Sequence, residues 1–159
     1  MKKEIATFAM GCFWTPQLVF SEIPGVLKTE VGYIGGNEKK YPNPSYEEVC
    51  SGRTGFAEAV QLTFDSEKID YSELLNIFWK NHNPTEKNRQ GNDIGSQYRS
   101  VIFYHNKRQK RSAEDSKKAM QKKLEKKIQT KIEKAGTFFR AEEYHQDFLK
   151  KRGQRYCHL

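Results

Sequence analysis

Alternating and continuous apolar stretches along the chain predict five β-strands. The clearest is Phe56–Phe64, in which alternate side chains face opposite sides of a sheet. The other predicted strands are Glu4–Met10, Val26–Tyr33, Tyr98–Tyr104 and Ile128–Glu133. The last stretch also fits a helix, but its alternating pattern favours a strand.

Helical patterns fill the intervals between these strands. Thr15 is placed to cap a helix and Pro16 to occupy its first position, where a missing N–H has no cost. Asp70 and Glu73 form the pattern of a capping box that opens a helix over Tyr71–Asn81. A basic helix follows the fourth strand, a final short helix is predicted at Glu142–Lys150, and residues 36–54 and 82–95 are predicted to be loops.

The alternation of strands and helices predicts the fold class. A chain of 159 residues without internal repeats or a Pro/Gly/Ser-rich linker fits one domain, residues 1–159. We expect an α+β fold, a two-layer α/β sandwich with a mixed central sheet. Residues 151–159 are expected to form a mobile C-terminal tail that carries Cys157.

The positive charge of the protein is concentrated in one segment. The net charge is +8, and residues 107–134 account for all of it with 12 basic and 4 acidic residues. Clustered lysines can neutralise phosphates, so an RNA-binding module is one interpretation. No aromatic residues interleave with these lysines, and Ala113, Met120 and Leu124 recur at helical spacing. A solvated helix face is therefore favoured, and no nucleic-acid partner is expected.

Composition favours a folded protein of a reducing compartment. Aromatic residues make up 13% of the chain, too many for a disordered protein, and no apolar run approaches the roughly 20 residues of a membrane span. Three cysteines, an odd number, argue against a secreted disulfide framework. The apolar stretch after Met1–Lys3 is too short for a signal peptide. We expect a cytoplasmic monomer with no membrane partner.

Cys12 is the first candidate for chemistry. It follows a predicted strand and Gly11, and it precedes a predicted helix. A thiol at a helix N-terminus has a lowered pKa because unpaired N–H groups and the helix dipole stabilise its thiolate. Phe13 and Trp14 place large apolar side chains beside it. A buried structural cysteine is the alternative interpretation.

Glu58 is the second candidate, because its neighbours on the same strand face, Phe56 and Val60, are apolar. Burial there would raise the pKa of the carboxyl and make it a protonated donor near neutral pH. The alternatives are a strand end open to water, or an ion pair with Arg53 or Arg99.

Two polar loops and a terminal cysteine complete the candidates. The loop Tyr41–Tyr46 could offer hydroxyl donors, and Arg89–Arg99 concentrates polar side chains; packing tyrosines and a solvated turn are the alternatives. Cys157 lies close enough to the C-terminus for a mobile tail to carry it to another thiol. No cysteine and histidine spacing fits zinc, and no glycine pattern fits a phosphate loop, so no metal or cofactor is expected.

Motifs over most of residues 5–104 resemble the peptide methionine sulfoxide reductase type A family. In the family's order they are Gly11–Trp14, Pro24–Val26, Val31–Tyr33, Gly35–Gly36, Pro42–Gly52, Thr54–Gly55, Ala57–Glu58, Phe78–Trp79, Arg89–Asp93 and Gln97–Ser100. A weaker match, Ala141–Glu142 with His145–Gln146, follows. The resemblance implies a ferredoxin-like core and a thiol-dependent reductase of methionine-S-sulfoxide, free or in proteins.

The resemblance also implies roles for individual residues. The Cys12 position attacks the sulfoxide sulfur, the Phe13 and Trp14 positions form the pocket for the substrate's methyl group, and the Glu58 position protonates the oxygen. Attack produces a sulfenic acid on the cysteine, which a second thiol converts to a disulfide. A peroxide-reducing thiol enzyme, which also uses a low-pKa cysteine, is the alternative enzyme.

The resemblance implies further roles as well. In the family, hydroxyls at the Tyr46 and Tyr98 positions assist protonation, and the acid at the Asp93 position helps shape the site. Cys157 resembles the family's resolving cysteine, with Cys50 as a second candidate, and a dithiol reductant such as thioredoxin reopens the disulfide. The chain departs from the family pattern at Gln17, usually Glu, at Phe56, often His, and at Thr15–Pro16, Asn83 and the short C-terminal tail.

Overall fold

The computed structural model describes residues 1–155, so the candidate Cys157 lies outside the described residues. The strands are β1 (Lys3–Met10), β2 (Val26–Ile34), β3 (Ala57–Asp65), β4 (Arg89–Gln90), β5 (Asp93–Ile94), β6 (Ser100–Tyr104), β7 (Lys131–Lys134) and β8 (Phe139–Arg140). The α-helices are α1 (Trp14–Ser21), α2 (Tyr46–Cys50), α3 (Tyr71–Lys80), α4 (Lys107–Gln121) and α5 (Phe148–Lys151).

One mixed sheet organises the fold. Its strand order is β7-β6-β1-β3-β2-β8, and all neighbours are antiparallel except the parallel pair β6–β7. The four inner strands have the order β6-β1-β3-β2, with α1 connecting β1 to β2 and α3 lying between β3 and β6 in the chain. This order is the ferredoxin-like arrangement, so the predicted α+β class with a mixed central sheet is confirmed.

Helices α1 and α3 pack on one face of the sheet. Phe8 of β1 is fully buried and its ring stacks on Phe20 of α1 with centroids 5.5 Å apart. Leu74 and Phe78 of α3 join the same cluster, as the helical spacing of α3 requires. The same face continues into a second cluster, which includes Phe13, Tyr33 and Phe56, next to the candidate residues. The opposite face carries a smaller cluster with Ala9, Ile34 and Phe103.

Two predicted helix starts are wrong in detail. The N-cap of α1 is Phe13 rather than Thr15, which places Pro16 at the third helical position, where its missing N–H still has no intrahelical partner to lose. Asp70 is the N-cap of α3, but its side chain makes no capping hydrogen bond. The capping box of the described chain is formed instead by Ser45 and Glu48, and it opens α2 inside the stretch predicted as a loop.

The predicted C-terminal helix Glu142–Lys150 is also wrong as a continuous element. The chain forms a 3₁₀ turn at Glu143–His145 and begins α5 only after Asp147, whose φ of 53° is left-handed. Gln146 causes the break, because its buried side chain replaces a strand partner for Val31. The Gln146 amide donates to the Val31 carbonyl at 2.9 Å and accepts from the Val31 N–H at 3.0 Å.

The basic segment forms a helix with one packed face. Gln109 and Ala113 of α4 are buried, whereas the basic side chains of its first turn, Lys107, Arg108 and Lys110, are exposed. The helical interpretation is therefore confirmed for Lys107–Gln121, whereas Leu124 lies beyond the end of α4 and Lys131–Lys134 belong to β7. Across residues 1–155, the helices are all too short or too polar to cross a membrane.

Removing the Gln146 side chain should destabilise the protein. Gln146→Ala leaves the buried N–H of Val31 without its partner, whereas the Val31 carbonyl still accepts from the Ala141 N–H at 2.9 Å. An unsatisfied buried group of this kind costs about 1–3 kcal/mol. We expect the free energy of unfolding, measured by urea denaturation, to fall by about 2 kcal/mol or more. Gln129→Ala, an amide in the connection before β7, should stay within about 0.5 kcal/mol of wild type. Equal urea midpoints for the two variants would contradict the assignment.

Candidate active site

Gly11 brings the chain from the end of β1 to Cys12. Its φ of +98° is left-handed, a conformation that favours glycine. A Cβ at this position would also lie 2.8 Å from Cγ of Gln90, so the close approach requires glycine on steric grounds as well. Cys12 follows in the turn before Phe13, the N-cap of α1, and is partly exposed. The predicted placement of the thiol at the start of a helix is confirmed.

The carboxyl of Glu58 lies beside the backbone of this turn. Glu58 sits on β3 opposite Tyr33 of β2, and it is only 1% exposed. Its Oε1 accepts a hydrogen bond from the N–H of Phe13 at 3.2 Å. Because Phe13 follows Cys12 directly, the two main candidates lie on the same side of the molecule. The alternative of a strand end open to water is wrong.

The hydroxyls of Tyr46 and Tyr98 face the same region. Burial raises the pKa of Tyr46, and its hydrogen bond with Cys50 raises it further. Burial also raises the pKa of Tyr98. Both phenols therefore remain protonated hydrogen-bond donors at neutral pH.

Asp93 reaches the site from the β4–β5 hairpin. Together with Cys12 it lines a surface groove of about 330 Å³, which is bounded by the start of α1, by Asn81 after α3 and by the hairpin residues Gln90–Asn92. The polar loop predicted at residues 82–95 thus contains a short hairpin that places an acid next to the nucleophile candidate.

Phe13 and Trp14 form an aromatic surface next to Cys12. Phe13 is buried and packs on Tyr33 with centroids 5.8 Å apart. Trp14 is partly exposed, and its ring stacks on Phe148 of α5 at 3.8 Å with an interplanar angle of 9°. A partly exposed ring held by stacking is suited to form the wall of a pocket for an apolar group.

Two residues that the sequence analysis did not assign to the site hold its parts in place. Glu142 accepts the hydroxyl of Tyr33 at 2.9 Å and the N–H of Tyr46 at 3.0 Å. Burial opposes ionisation of Glu142, but these hydrogen bonds outweigh it and leave its pKa lowered. His145 accepts the indole N–H of Trp14 at 3.1 Å. The weaker motif match at residues 141–146 was the signal that could have indicated both.

Cys50 ends α2 close to Tyr46. Although the residue is exposed, partial burial of its thiol raises the pKa, and the hydrogen bond with Tyr46 only partly opposes this effect. Cys50 is therefore a weaker source of thiolate than an ordinary cysteine.

The departures at Gln17 and Phe56 have structural explanations. Gln17 is buried, donates from Nε2 to the Thr29 carbonyl at 3.3 Å and accepts from the Asp147 N–H at 2.8 Å. A carboxylate could not make the first of these bonds. Phe56 is buried edge-on against Phe139 with centroids 5.5 Å apart, which leaves the start of β3 apolar beside Glu58.

Comparison with known proteins identifies the family. The family model described as peptide methionine sulfoxide reductase matches residues 4–159. The peptide methionine sulfoxide reductase MsrA of Methanothermobacter thermautotrophicus is 50% identical over 158 residues, which cover 98% of this chain and 92% of that protein. The reduced form of Mxr1 from Saccharomyces cerevisiae has a TM-score of 0.92 at 38% identity, covering 98% of this chain and 89% of Mxr1. Mxr1 in complex with Trx2 has a TM-score of 0.66 at 26% identity, covering 91% and 84%.

These matches confirm the resemblance that the motifs indicated. Since a family model and a relative of 50% identity both span nearly the whole chain, the protein belongs to the peptide methionine sulfoxide reductase family, as an oxidoreductase of the MsrA type.

Proposed function

We propose that this protein reduces methionine-S-sulfoxide, free or in proteins, with Cys12 as nucleophile and Glu58 as acid. The observation that carries the proposal is the hydrogen bond from the Phe13 N–H to the buried Glu58 carboxyl. Because Phe13 directly follows Cys12, this bond holds the carboxyl beside the turn that carries the thiol. The S configuration follows from the resemblance to the family.

The first step is attack by the Cys12 thiolate on the sulfoxide sulfur. The start of α1 stabilises the thiolate, because the first N–H groups of a helix and its dipole attract negative charge. The sulfur–oxygen bond of the substrate breaks, its sulfur is reduced to a thioether, and the oxygen and a proton are transferred so that Cys12 becomes a sulfenic acid. Phe13 and Trp14 hold the substrate's methyl group against the nucleophile.

The oxygen must gain a proton as the bond breaks, and Glu58 supplies it. Burial favours the neutral acid, and the Phe13 N–H bond is compatible with it because a protonated carboxyl still accepts through its carbonyl oxygen. The proton then resides on the other oxygen. The neutral hydroxyls of Tyr46 and Tyr98 donate to the same sulfoxide oxygen, and Asp93 shapes the groove beside Cys12.

A second thiol then converts the sulfenic acid to a disulfide with release of water. We assign this role to Cys157 because attack requires a thiolate, and the raised pKa of Cys50 disfavours the alternative.

Thioredoxin or a similar dithiol reduces the disulfide and restores both thiols. The complex of Mxr1 with Trx2 supports this partner. The cytoplasm, a reducing compartment, suits such a cycle.

Replacing the nucleophile should abolish turnover. Cys12→Ser retains the size of the side chain but replaces the thiolate by a weakly nucleophilic hydroxyl. We expect no methionine above background in an assay with methionine-S-sulfoxide and dithiothreitol. Rapid oxidation of wild-type Cys12 by hydrogen peroxide, without any sulfoxide-dependent turnover, would instead indicate a peroxide-reducing enzyme.

Replacing the acid should slow the chemical step. Glu58→Gln keeps an acceptor for the Phe13 N–H but cannot transfer a proton, so we expect single-turnover reduction to slow by about 10²-fold or more. Glu30→Gln, which changes a carboxylate on the neighbouring strand β2 that pairs with Arg140, is the control and should react at the wild-type rate. A Glu58→Gln rate within threefold of wild type would exclude the proposed acid.

Replacing the resolving thiol should separate the two halves of the cycle. Cys157→Ser is expected to form one methionine per enzyme and then stop with thioredoxin as reductant, whereas Cys50→Ser should cycle normally. Without a reductant, the wild-type enzyme should form one methionine and lose two thiols in a thiol titration. The reverse pattern for the two serine variants would assign the role to Cys50.

A further inference from the structure

A histidine outside the proposed reaction lies directly behind the aromatic surface. His145 ends the 3₁₀ turn Glu143–His145 and is 1% exposed. Its ring centroid is 5.2 Å from Phe13, 5.8 Å from Trp14 and 4.4 Å from Tyr46. It therefore contacts both residues of the pocket wall and one of the proposed hydroxyl donors.

The hydrogen bonding of this ring is unusually specific. Its Nδ1 accepts the Trp14 indole N–H at 3.1 Å, and its buried Nε2 has no hydrogen-bond partner within residues 1–155. Within residues 1–155, the bond from Trp14 is therefore the hydrogen bond that the His145 ring makes. An indole nitrogen can only donate, so Nδ1 is unprotonated and the ring is the neutral Nε2–H form. Burial lowers the pKa of His145, which keeps it neutral, although the charge of Glu142 partly opposes this effect.

Trp14 has two restraints of different kinds. The stack on Phe148 fixes the plane of the indole but permits it to slide and rotate within that plane. The hydrogen bond to His145 fixes the edge of the indole and removes the remaining freedom. The two contacts together define the position of a ring that is otherwise partly open to solvent.

We infer that His145 is a positioning residue that holds the Trp14 indole in place and thereby sets the shape of the pocket for the substrate's methyl group. This inference rests on the proposed function, in which Trp14 contacts that group. His145 acts on substrate binding through Trp14 and takes no part in proton transfer. Loss of its Nδ1 acceptor should therefore raise KM and leave kcat nearly unchanged.

A matched pair of amide variants tests the inference. The amide oxygen of asparagine lies as far along the side chain as Nδ1 of histidine, so asparagine can still accept the Trp14 N–H. The amide oxygen of glutamine lies as far out as Nε2, so glutamine cannot replace the Nδ1 acceptor. We expect His145→Gln to raise KM for a methionine-S-sulfoxide peptide by about 5- to 20-fold, the range for one lost buried hydrogen bond. We expect His145→Asn to stay within about threefold of wild type, with kcat within about twofold for both. His105→Gln, outside the site, is the control.

Fluorescence of Trp14 provides a readout that does not depend on activity. Trp14 and Trp79 are the two tryptophans, so Trp79→Phe isolates the signal of Trp14. In this background His145→Gln should increase acrylamide quenching of Trp14, and His145→Asn should not. If Trp79→Phe does not fold, the difference in quenching between the two His145 variants in the native background gives the same comparison.

The outcomes separate this inference from the proposed function. Equal KM and equal quenching for the Asn and Gln variants would overturn the positioning role, as would a fall in kcat without a change in KM. A 5-fold or larger effect of His145→Gln on KM that persists in a Trp14→Phe background would also overturn it, because no indole N–H remains there to be held. Inactive wild-type enzyme with the expected quenching pattern would contradict the proposed function alone.

Discussion

The site depends on one hydrogen bond between distant parts of the chain, from the N–H of Phe13 to the carboxyl of Glu58. Phe13 caps the helix that follows β1, and Glu58 lies on β3, the neighbour of β1 in the sheet. The antiparallel register therefore determines which carboxyl meets the Cys12 turn. A shift of one residue would direct Glu58 to the other face of the sheet. The pairing of β1 with β3 is thus a condition for the proposed chemistry as well as for stability.

The proposed nucleophile and the proposed acid require opposite electrostatic environments within a short distance. A thiolate needs stabilised negative charge, whereas a carboxylic acid must remain neutral. The fold separates the two demands by placing Cys12 at a partly exposed helix start and Glu58 in a buried strand position. The surrounding phenols of Tyr46 and Tyr98 have raised pKa values, so they stay neutral and add no negative charge beside Glu58.

The segment from Ala141 to Gln146 connects the site to the edge of the sheet. Glu142 fixes the backbone of Tyr46, His145 fixes Trp14, and Gln146 replaces a strand partner for Val31. These three contacts explain why the segment is not a continuous α-helix. Its side chains are committed to three different elements, and an α-helical backbone could not direct them there.

The sequence by itself determined five of the eight strands in residues 1–155, the ferredoxin-like order through the family motifs, and the two residues that carry the proposed chemistry. Cys12 was evident because it stands between a strand and a helix, and Glu58 because a carboxyl interrupts an apolar face. Both signals depend only on neighbouring residues, so they can be recognised in one amino-acid sequence without a structure.

Only the tertiary structure decided which distant residues contact each other in the candidate site. The Phe13 contact with Glu58 spans 45 residues, and the Trp14 contact with His145 spans 131. The short range of capping and periodicity rules explains the errors at Thr15, Asp70 and Glu142–Lys150, where neighbouring elements outweighed local preference. A hydrogen bond between residues far apart in the chain has no local pattern, and its partner is fixed only when strands pair and helices pack.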